Sequence, residues 1–483
     1  ALGRYLEAEQ VGRQDYAIPA GEALCFLGGK EADDLLLKAR NSFGGYNSFW
    51  DQVGRLYHRT GVEPELQAEN AIGYYTRGVA WGNKSNLTYA IADFTRAIEL
   101  DPKHVLAWLN RGIVREAKGD LDGAITDYTR VIELDPKHIL AWQNRGWARK
   151  EKGDLDGASA DFNRIMELDP KLKGARIYRG MVRKDKGDLD GAIAEYTHVI
   201  ELDPEYPPAW LNRGNARMAK GDLDGAIADY TRVLELDPKN KTALSSRGGA
   251  RKDKGDLDGA IADYNRAIEL DPKNAYDWYN RGIMREAKGD LDEAIADYTR
   301  TLEINPKLAV AWNNRGNART GKGDLEGSIA DYTRALEFDP KHKNAWYNRG
   351  NARALMGDLD GAIADYNRGI ELDPKYWKYW RNRGYARRKK GDLDGAIADY
   401  TRALELDPKD PDVWHYRGIA RKAKGDLDGA IADYTRAIEF DPEYVVSWFN
   451  RGHAMKWNGN LAGALADWEQ GLKLAPNHRK ARG

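Results

Sequence analysis

Apolar and polar residues along this chain follow two helical rhythms in alternation. Leu121, Ala124, Tyr128, Val131 and Ile132 fall at i, i+3, i+7, i+10 and i+11, which predicts one buried stripe on an amphipathic helix. The preceding stretch predicts a second helix that ends at Gly119, a residue free to take a positive φ. Asp120 then caps the next helix, and Asp122 sits in its first turn, where the helix dipole favours a carboxylate. Pro136 cannot extend that helix and fixes the turn that follows. The whole block recurs every 34 residues: closing prolines stand at Pro102, Pro136, Pro170 and on to Pro476, with no insertion or deletion between them.

We number positions within a block from 1, the second block starting at Val105. Trp fills position 4 in nine of twelve blocks, the exceptions being Tyr74, Arg176 and Leu244. Small residues at positions 8 and 20, such as Gly112 and Ala124, let the two helices of a block approach closely, with position 4 supplying a large plug. Trp, Gly, Ala, an aromatic ring and Pro at positions 4, 8, 20, 24 and 32 of a 34-residue period resemble the tetratricopeptide repeat family. The resemblance implies an all-α, right-handed superhelical solenoid of antiparallel helix pairs, long enough to exceed one superhelical turn. It covers residues 71–478 as twelve units, preceded by an irregular helical segment at 1–70 and followed by a tail at 479–483.

Two positions depart from that family's pattern. Position 7, usually Leu, is Arg in every block, and position 11, usually Tyr, is Arg from Arg115 to Arg421, with Trp81 and Met455 in the terminal two. Position 23 is acidic throughout, as in Asp127, Asp161 and Glu195. A guanidinium held between helices costs several kcal/mol unless it is paired, so each position-7 Arg is expected to bond the position-23 carboxylate of its own block.

Composition narrows the function. Lys and Arg number 75 against 76 Asp and Glu, a net charge of −1 that argues against wholesale nucleic-acid or polybasic membrane binding. No apolar run approaches a membrane span and no charged-then-apolar leader opens the chain. A soluble protein is expected; the start at Ala1 leaves the choice between cytoplasm and periplasm or secretion open. The single Cys25 excludes an internal disulfide framework and has no nearby His to activate it. None of the eight His forms a short metal-spaced pair, and the glycines end helices rather than cradle phosphate. A catalytic site needs a unique constellation, whereas an Arg or Asp repeated in every block is architecture. No enzymatic activity, cofactor, metal or small-molecule substrate is expected.

Binding is expected instead at positions 2, 5, 6, 9, 12 and 13, which the family's architecture turns toward its concave groove. Position 6 is Asn in eight blocks: Asn110, Asn144, Asn212, Asn280, Asn314, Asn348, Asn382 and Asn450. A side-chain amide pairs with a peptide unit without reading its side chain. The row resembles the asparagine ladder of the O-linked N-acetylglucosamine transferase repeat domains, which implies a grip on peptide backbone; the alternative is that Asn is simply common at this position. Thr76, Tyr178, Ser246 and Tyr416 interrupt it, leaving Asn280 to Asn382 as the best run. Asn317, Asn348 and Lys378 match three of the five positions with which co-chaperones of this family hold a carboxyl-terminal tail. Asn313 and Asn382 depart from the other two, and Arg381, Arg388 and Lys389 supply charge nearby.

The most aperiodic stretch is 375–381, Lys-Tyr-Trp-Lys-Tyr-Trp-Arg. It reads either as Trp380 at its usual position with Tyr376 and Trp377 packed at the turn, or as a site for an acidic or aromatic-bearing partner. Near the start, Phe43, Tyr46, Phe49 and Trp50 form a dense aromatic group in a degenerate half-block, either a cap on the first repeat or a docking segment. The leading functional expectation is a scaffold that binds an extended peptide or partner segment in the groove. Its rival is an assembly subunit that bridges a larger complex or self-associates through its ends and convex face, Trp457 and Trp468 standing at one end. A third reading is a local nucleic-acid or acidic-partner reader at 375–390.

Overall fold

The computed structural model describes residues 70–475. Among these stand twenty-four helices and no strand, from Ala71–Asn83 and Leu87–Leu100 to Val445–Trp457 and Leu461–Leu474. Successive helices form twelve pairs, one per 34-residue block, numbered here 1 to 12. The chain divides into two compact units, Ala1–Leu236 and Asp237–Gly483. Pairs 1–5 fall in the first and pairs 6–12 in the second.

The predicted helix ends are where the local chemistry puts them. Gly119 has φ +86°, ten further glycines at the same position share that conformation, and in pair 1 Ser85 takes it at φ +58°. The Asp120 carboxylate accepts from the Gly123 N–H at 3.0 Å, and the equivalent Asp154, Asp188 and Asp324 do the same. Along the second helix Ala124, Tyr128, Val131 and Ile132 are buried as expected, while Leu121 is half-buried.

Within each pair the two helices meet where the position-24 ring lies on the position-8 glycine. A Cβ on Gly112 would stand 2.6 Å from the Tyr128 ring, so no side chain is tolerated there. Tyr128 and its counterparts are the largest fully buried side chains. This corrects the expectation of a Trp plug: Trp108 is only half-buried, and its Nε1 donates to the Pro102 carbonyl at 3.0 Å. An indole with a polar edge is better placed at a boundary than in a sealed core.

Consecutive pairs share apolar clusters. In the first unit Ala124, Tyr128, Val131 and Ile132 pack on Ala141 and Ala148 of the next pair. In the second, Ala396, Tyr400, Ala403 and Leu404 pack on Val413 and Ala420. First helices also touch one another, as Ala309–Gly321 touches Lys343–Met356, so that within each unit their side chains share a face.

The predicted arginine pairs are present in all twelve pairs. Arg111 is representative. Its Nε and Nη2 grip Asp127 at 2.9 and 2.7 Å, and its Nη1 donates to Thr95 of the preceding pair at 3.0 Å. The guanidinium lies 4.7 Å from the Trp108 ring centre. Position 11 joins the same carboxylate, Arg115 Nη1 lying 2.9 Å from Asp127. Pair 4 is the exception. Glu195 carries one more methylene than Asp, the two-pronged grip is lost, and Arg179 keeps a single 2.6 Å contact. Nε of Arg176 and Arg179 and Oε2 of Glu195 are left without hydrogen-bond partners.

Candidate functional site

Positions 2, 5, 6, 9, 12 and 13 recur at helical spacing and share one face of each first helix. Of the position-6 asparagines, Asn110, Asn314, Asn348, Asn382 and Asn450 each turn their Nδ2 toward the position-5 residue of the preceding pair: Tyr75, Tyr279, Asn313, Tyr347 and His415. Asn144 faces the Tyr128 hydroxyl. Asn212 bonds its own helix at the Pro208 carbonyl, and Asn280 has no side-chain partner among the described residues. The bonded part of the expected run is therefore Asn314 to Asn382.

That run is denser than the sequence suggested. Asn348 Nδ2 donates to Asn313 Oδ1 at 3.1 Å and to Asn317 Oδ1 at 2.9 Å. Asn382 Nδ2 donates to Tyr347 at 3.2 Å and to Asn351 Oδ1 at 2.7 Å. The Tyr332 and Tyr366 hydroxyls donate to Asn317 and Asn351, at 2.9 and 2.8 Å, which fixes the orientation of both amides. Asn351 and Tyr347 were not singled out from sequence; the signal available was Asn at position 9 in Asn215, Asn317 and Asn351. The bonds leave three groups of these half-buried amides unused, Oδ1 of Asn348 as acceptor and Nδ2 of Asn317 and Asn351 as donors.

The basic residues beyond the amides differ in how they are held. Arg381 donates from Nε to Asn382 Oδ1 at 3.1 Å and lies 3.7 Å from Asp410. Burial raises the Asp410 carboxyl above its usual range, and the nearby Arg381 works against that shift. Lys378 lies over the Tyr376 and Trp377 rings, at 5.9 and 5.7 Å from their centres. Arg388 lies over Tyr385 and Tyr416, at 5.4 and 5.9 Å, with its Nε buried and unpartnered. Lys389 lies 5.7 Å from the Tyr385 ring centre.

Trp380 takes its usual role, donating to the Pro374 carbonyl at 3.1 Å. Tyr379, at a position that is Ala in most pairs, is 1% exposed; it fills the space vacated by Gly369 and donates to the Lys343 carbonyl at 2.6 Å. Two more aperiodic residues are matched across a pair boundary. Buried Asp277 accepts from Ser245 at 2.6 Å and from Asn274 at 2.8 Å, and buried His415 Nδ1 lies 2.7 Å from Ser447 Oγ. Burial pushes the His415 imidazole down to about 4.

Phe43, Tyr46, Phe49 and Trp50 lie outside the described residues, as do Cys25 and the tail at 479–483. At the other end Trp457 is exposed, and Trp468 is half-buried with a Cβ on Gly452 excluded by its indole. Among the described residues no group of His, Cys, Asp and Glu is arranged to hold a metal ion, and no helix is long and apolar enough to cross a membrane.

Family models described as TPR repeat match residues 180–221, 248–286, 316–357, 384–425 and 420–459. Models described as tetratricopeptide repeat match 105–138, 207–240, 275–308 and 344–376, and a further one matches 139–172. Among solved structures, YrrB, described as a TPR protein with an unusual peptide-binding site, is 23% identical over 38% of this chain and 95% of its own, with a TM-score of 0.35. MamA is 27% identical over 34% of this chain and 95% of its own, with a TM-score of 0.33. The APC/C hetero-tetramer Cut9–Hcn1 is 14% identical over 97% of this chain and 98% of its own, with a TM-score of 0.42. No curated protein matches the chain.

Proposed function

Because the chain belongs to the tetratricopeptide repeat family, whose members act in protein–protein interaction and scaffolding, we propose that it binds an extended partner segment along its first helices in pairs 8–10. The observation that carries this reading is the bonded amide row from Asn313 to Asn382. The row's internal hydrogen bonds hold each amide in place, and its unused groups alternate acceptor and donor. A strand of peptide backbone offers the complementary alternation at every second residue. Groups already fixed in place lose little freedom on binding, so such a row favours affinity without reading side chains. The role is non-catalytic.

The test is affinity capture with the full chain beside a triple Asn314, Asn348, Asn382→Ala variant, followed by mass spectrometry. One protein held by the first and released by the second supports the groove. Identical captures refute it. An assembly role through the chain's ends is the second reading, favoured by the exposed Trp457, Leu461 and Leu465 of pair 12, which are 63%, 66% and 57% exposed. In that case Trp457→Ala, and not the asparagine variant, changes what is captured.

A further inference from the structure

The position-24 tyrosine hydroxyls point to what the groove's partner carries. In pairs 2 and 7 this hydroxyl donates to a carboxylate at position 12: Tyr128 to Glu116 at 2.7 Å, Tyr298 to Glu286 at 2.6 Å. In pairs 5, 8 and 9 it donates to the amide oxygen at position 9: Asn215, Asn317 and Asn351. Either position thus supplies an acceptor close to the exposed face. In pair 10 neither does. Position 9 is Tyr385, position 12 is Arg388, and the Tyr400 hydroxyl is buried with no hydrogen-bond partner. Arg388 Nε is buried and unpartnered as well; the guanidinium stands close enough to the Tyr400 oxygen to work against the upward push of burial on that hydroxyl, but neither the Nε–H nor the Tyr400 O–H proton has an acceptor. The Tyr434 hydroxyl of pair 11, with Lys422 at position 12, and the Tyr196 hydroxyl of pair 4, with Lys184 there, are likewise buried without a partner, but neither stands beside an orphaned arginine at position 12.

We propose that pair 10 takes an acidic side chain of an extended partner segment, its carboxylate replacing at Arg388 and Tyr400 the acceptor that Glu116 and Glu286 provide in their own pairs. A carboxylate oxygen accepts from both Arg388 Nε–H and the Tyr400 hydroxyl, two charge-assisted hydrogen bonds that no neutral side chain matches. Arg388 is half-buried and Tyr385 beside it is 36% exposed, while Tyr416 packs on Tyr385, Tyr400 and Arg388, so the site opens by rotation of these side chains without movement of the backbone in this proposal. Lys378 and Lys389 flank the site on the same helix with rings, not carboxylates, as their neighbours, so the local field favours an anion. The amide row of pairs 8 and 9 leads directly to this point, which gives the partner an order: backbone along Asn317, Asn348 and Asn351, then an Asp or Glu at Arg388. This inference rests on the groove reading above and adds to it the chemistry of the occupant.

The test uses the full chain and a fluorescein-labelled dodecapeptide alternating Glu with Ser, beside its Gln counterpart, read by fluorescence anisotropy. The Glu peptide is expected to bind, and the Gln peptide to bind roughly tenfold more weakly. Arg388→Glu restores the residue found at this position in pairs 2 and 7, so the helix pair keeps a familiar contact; it should weaken the Glu peptide by roughly tenfold or more. Tyr400→Phe removes no charge and should still weaken it by roughly threefold to tenfold, which a diffuse positive field would not produce. The triple asparagine variant should weaken the Glu and Gln peptides by the same factor. Equal binding of the two peptides, unchanged binding by Arg388→Glu, or no binding of the Glu peptide at millimolar concentration overturns the inference. In each of those cases the groove reading is judged separately, by the asparagine variant in the capture experiment.

Discussion

The buried arginine system makes a quantitative prediction in pair 8. Asp331 is 2% exposed and neutralises two guanidinium groups at once: Arg315, gripped at 2.9 and 2.7 Å, and Arg319 at 3.0 Å. Asp331→Asn changes the shape very little but leaves Arg315, itself 8% exposed, facing an amide that can oppose it with donors. Stranding a buried charge in this way costs about 3–5 kcal/mol. Arg315→Met should cost less, because Asp331 keeps Arg319; the loss is two charge-assisted bonds, the 3.0 Å bond to Thr299 and the stack on Trp312, together about 2–3 kcal/mol. The double variant Arg315→Met, Asp331→Leu removes both charges and leaves Arg319 to Asp324, 3.7 Å from its Nε. It should cost less than Asp331→Asn alone. Repeat arrays open locally, so the assay is native-state hydrogen exchange on peptides covering Ala309–Phe338, not a single melting temperature. Asp331→Asn should speed exchange there roughly a hundredfold or more. If the double variant costs as much as Asp331→Asn alone, or more, the stranded charge is not the source of the loss and the reasoning fails.

Three further outcomes follow from the aperiodic residues. A methyl group on Gly369 would overlap the Tyr379 ring, so Gly369→Ala should destabilise pairs 9 and 10 by about 1–3 kcal/mol or more; adding Tyr379→Ala recreates the Ala335–Ala345 contact of the preceding boundary and should restore protection from exchange. His415 has a folded pKa of about 4, below the 6.5 of the free imidazole, so its neutral form contributes fully above pH 6.5 and that contribution, about 3 kcal/mol, is lost as the pH falls toward 4. Exchange protection across Pro411–Trp457 should fall between pH 6.5 and 4, and the fall should be shallower in His415→Gln; equal slopes would mean that His415 is not the titrating group. Ser245→Ala leaves buried Asp277 with Asn274 alone and should destabilise that boundary by about 1–3 kcal/mol, with Asp277→Ala, the residue common at that position, relieving the effect.

Whatever is set by chemistry within a block was legible in the sequence. Helix ends at Gly119 and Asp120, the stripe through Tyr128, and the Arg111–Asp127 pairing each follow from residue types at fixed spacing, and twelve repetitions leave little to chance. What was misread depends on depth. Trp108 and Tyr128 are both large and periodic, and only the packed pair shows which ring is sealed and which stands at the boundary. The amide row was visible as a list of asparagines, but its bonds join residues 31 and 35 apart, so its continuity from Asn313 to Asn382 and the gap at Asn280 belong to tertiary structure. Tyr379 stood in the sequence only as part of the aperiodic 375–381 stretch, and its match to Gly369, ten residues earlier on another helix, is seen only where the two positions face one another.

A chain of near-identical blocks offers each repeat many wrong neighbours while it folds, and a slipped stack would bury almost the same apolar surface as the native one. The matched departures remove that degeneracy. Tyr379 requires a glycine at position 27 of the preceding pair, and among the twelve pairs only Gly369 and Gly471 supply one; Ala, Val, Ile or Thr elsewhere would collide with the ring. Asp277 needs the hydroxyl of Ser245, and set against a position-5 ring such as Tyr347 or Phe449 it would lose that bond. Like the wards of a lock, a few unequal residues give an otherwise interchangeable series of blocks a single order of assembly.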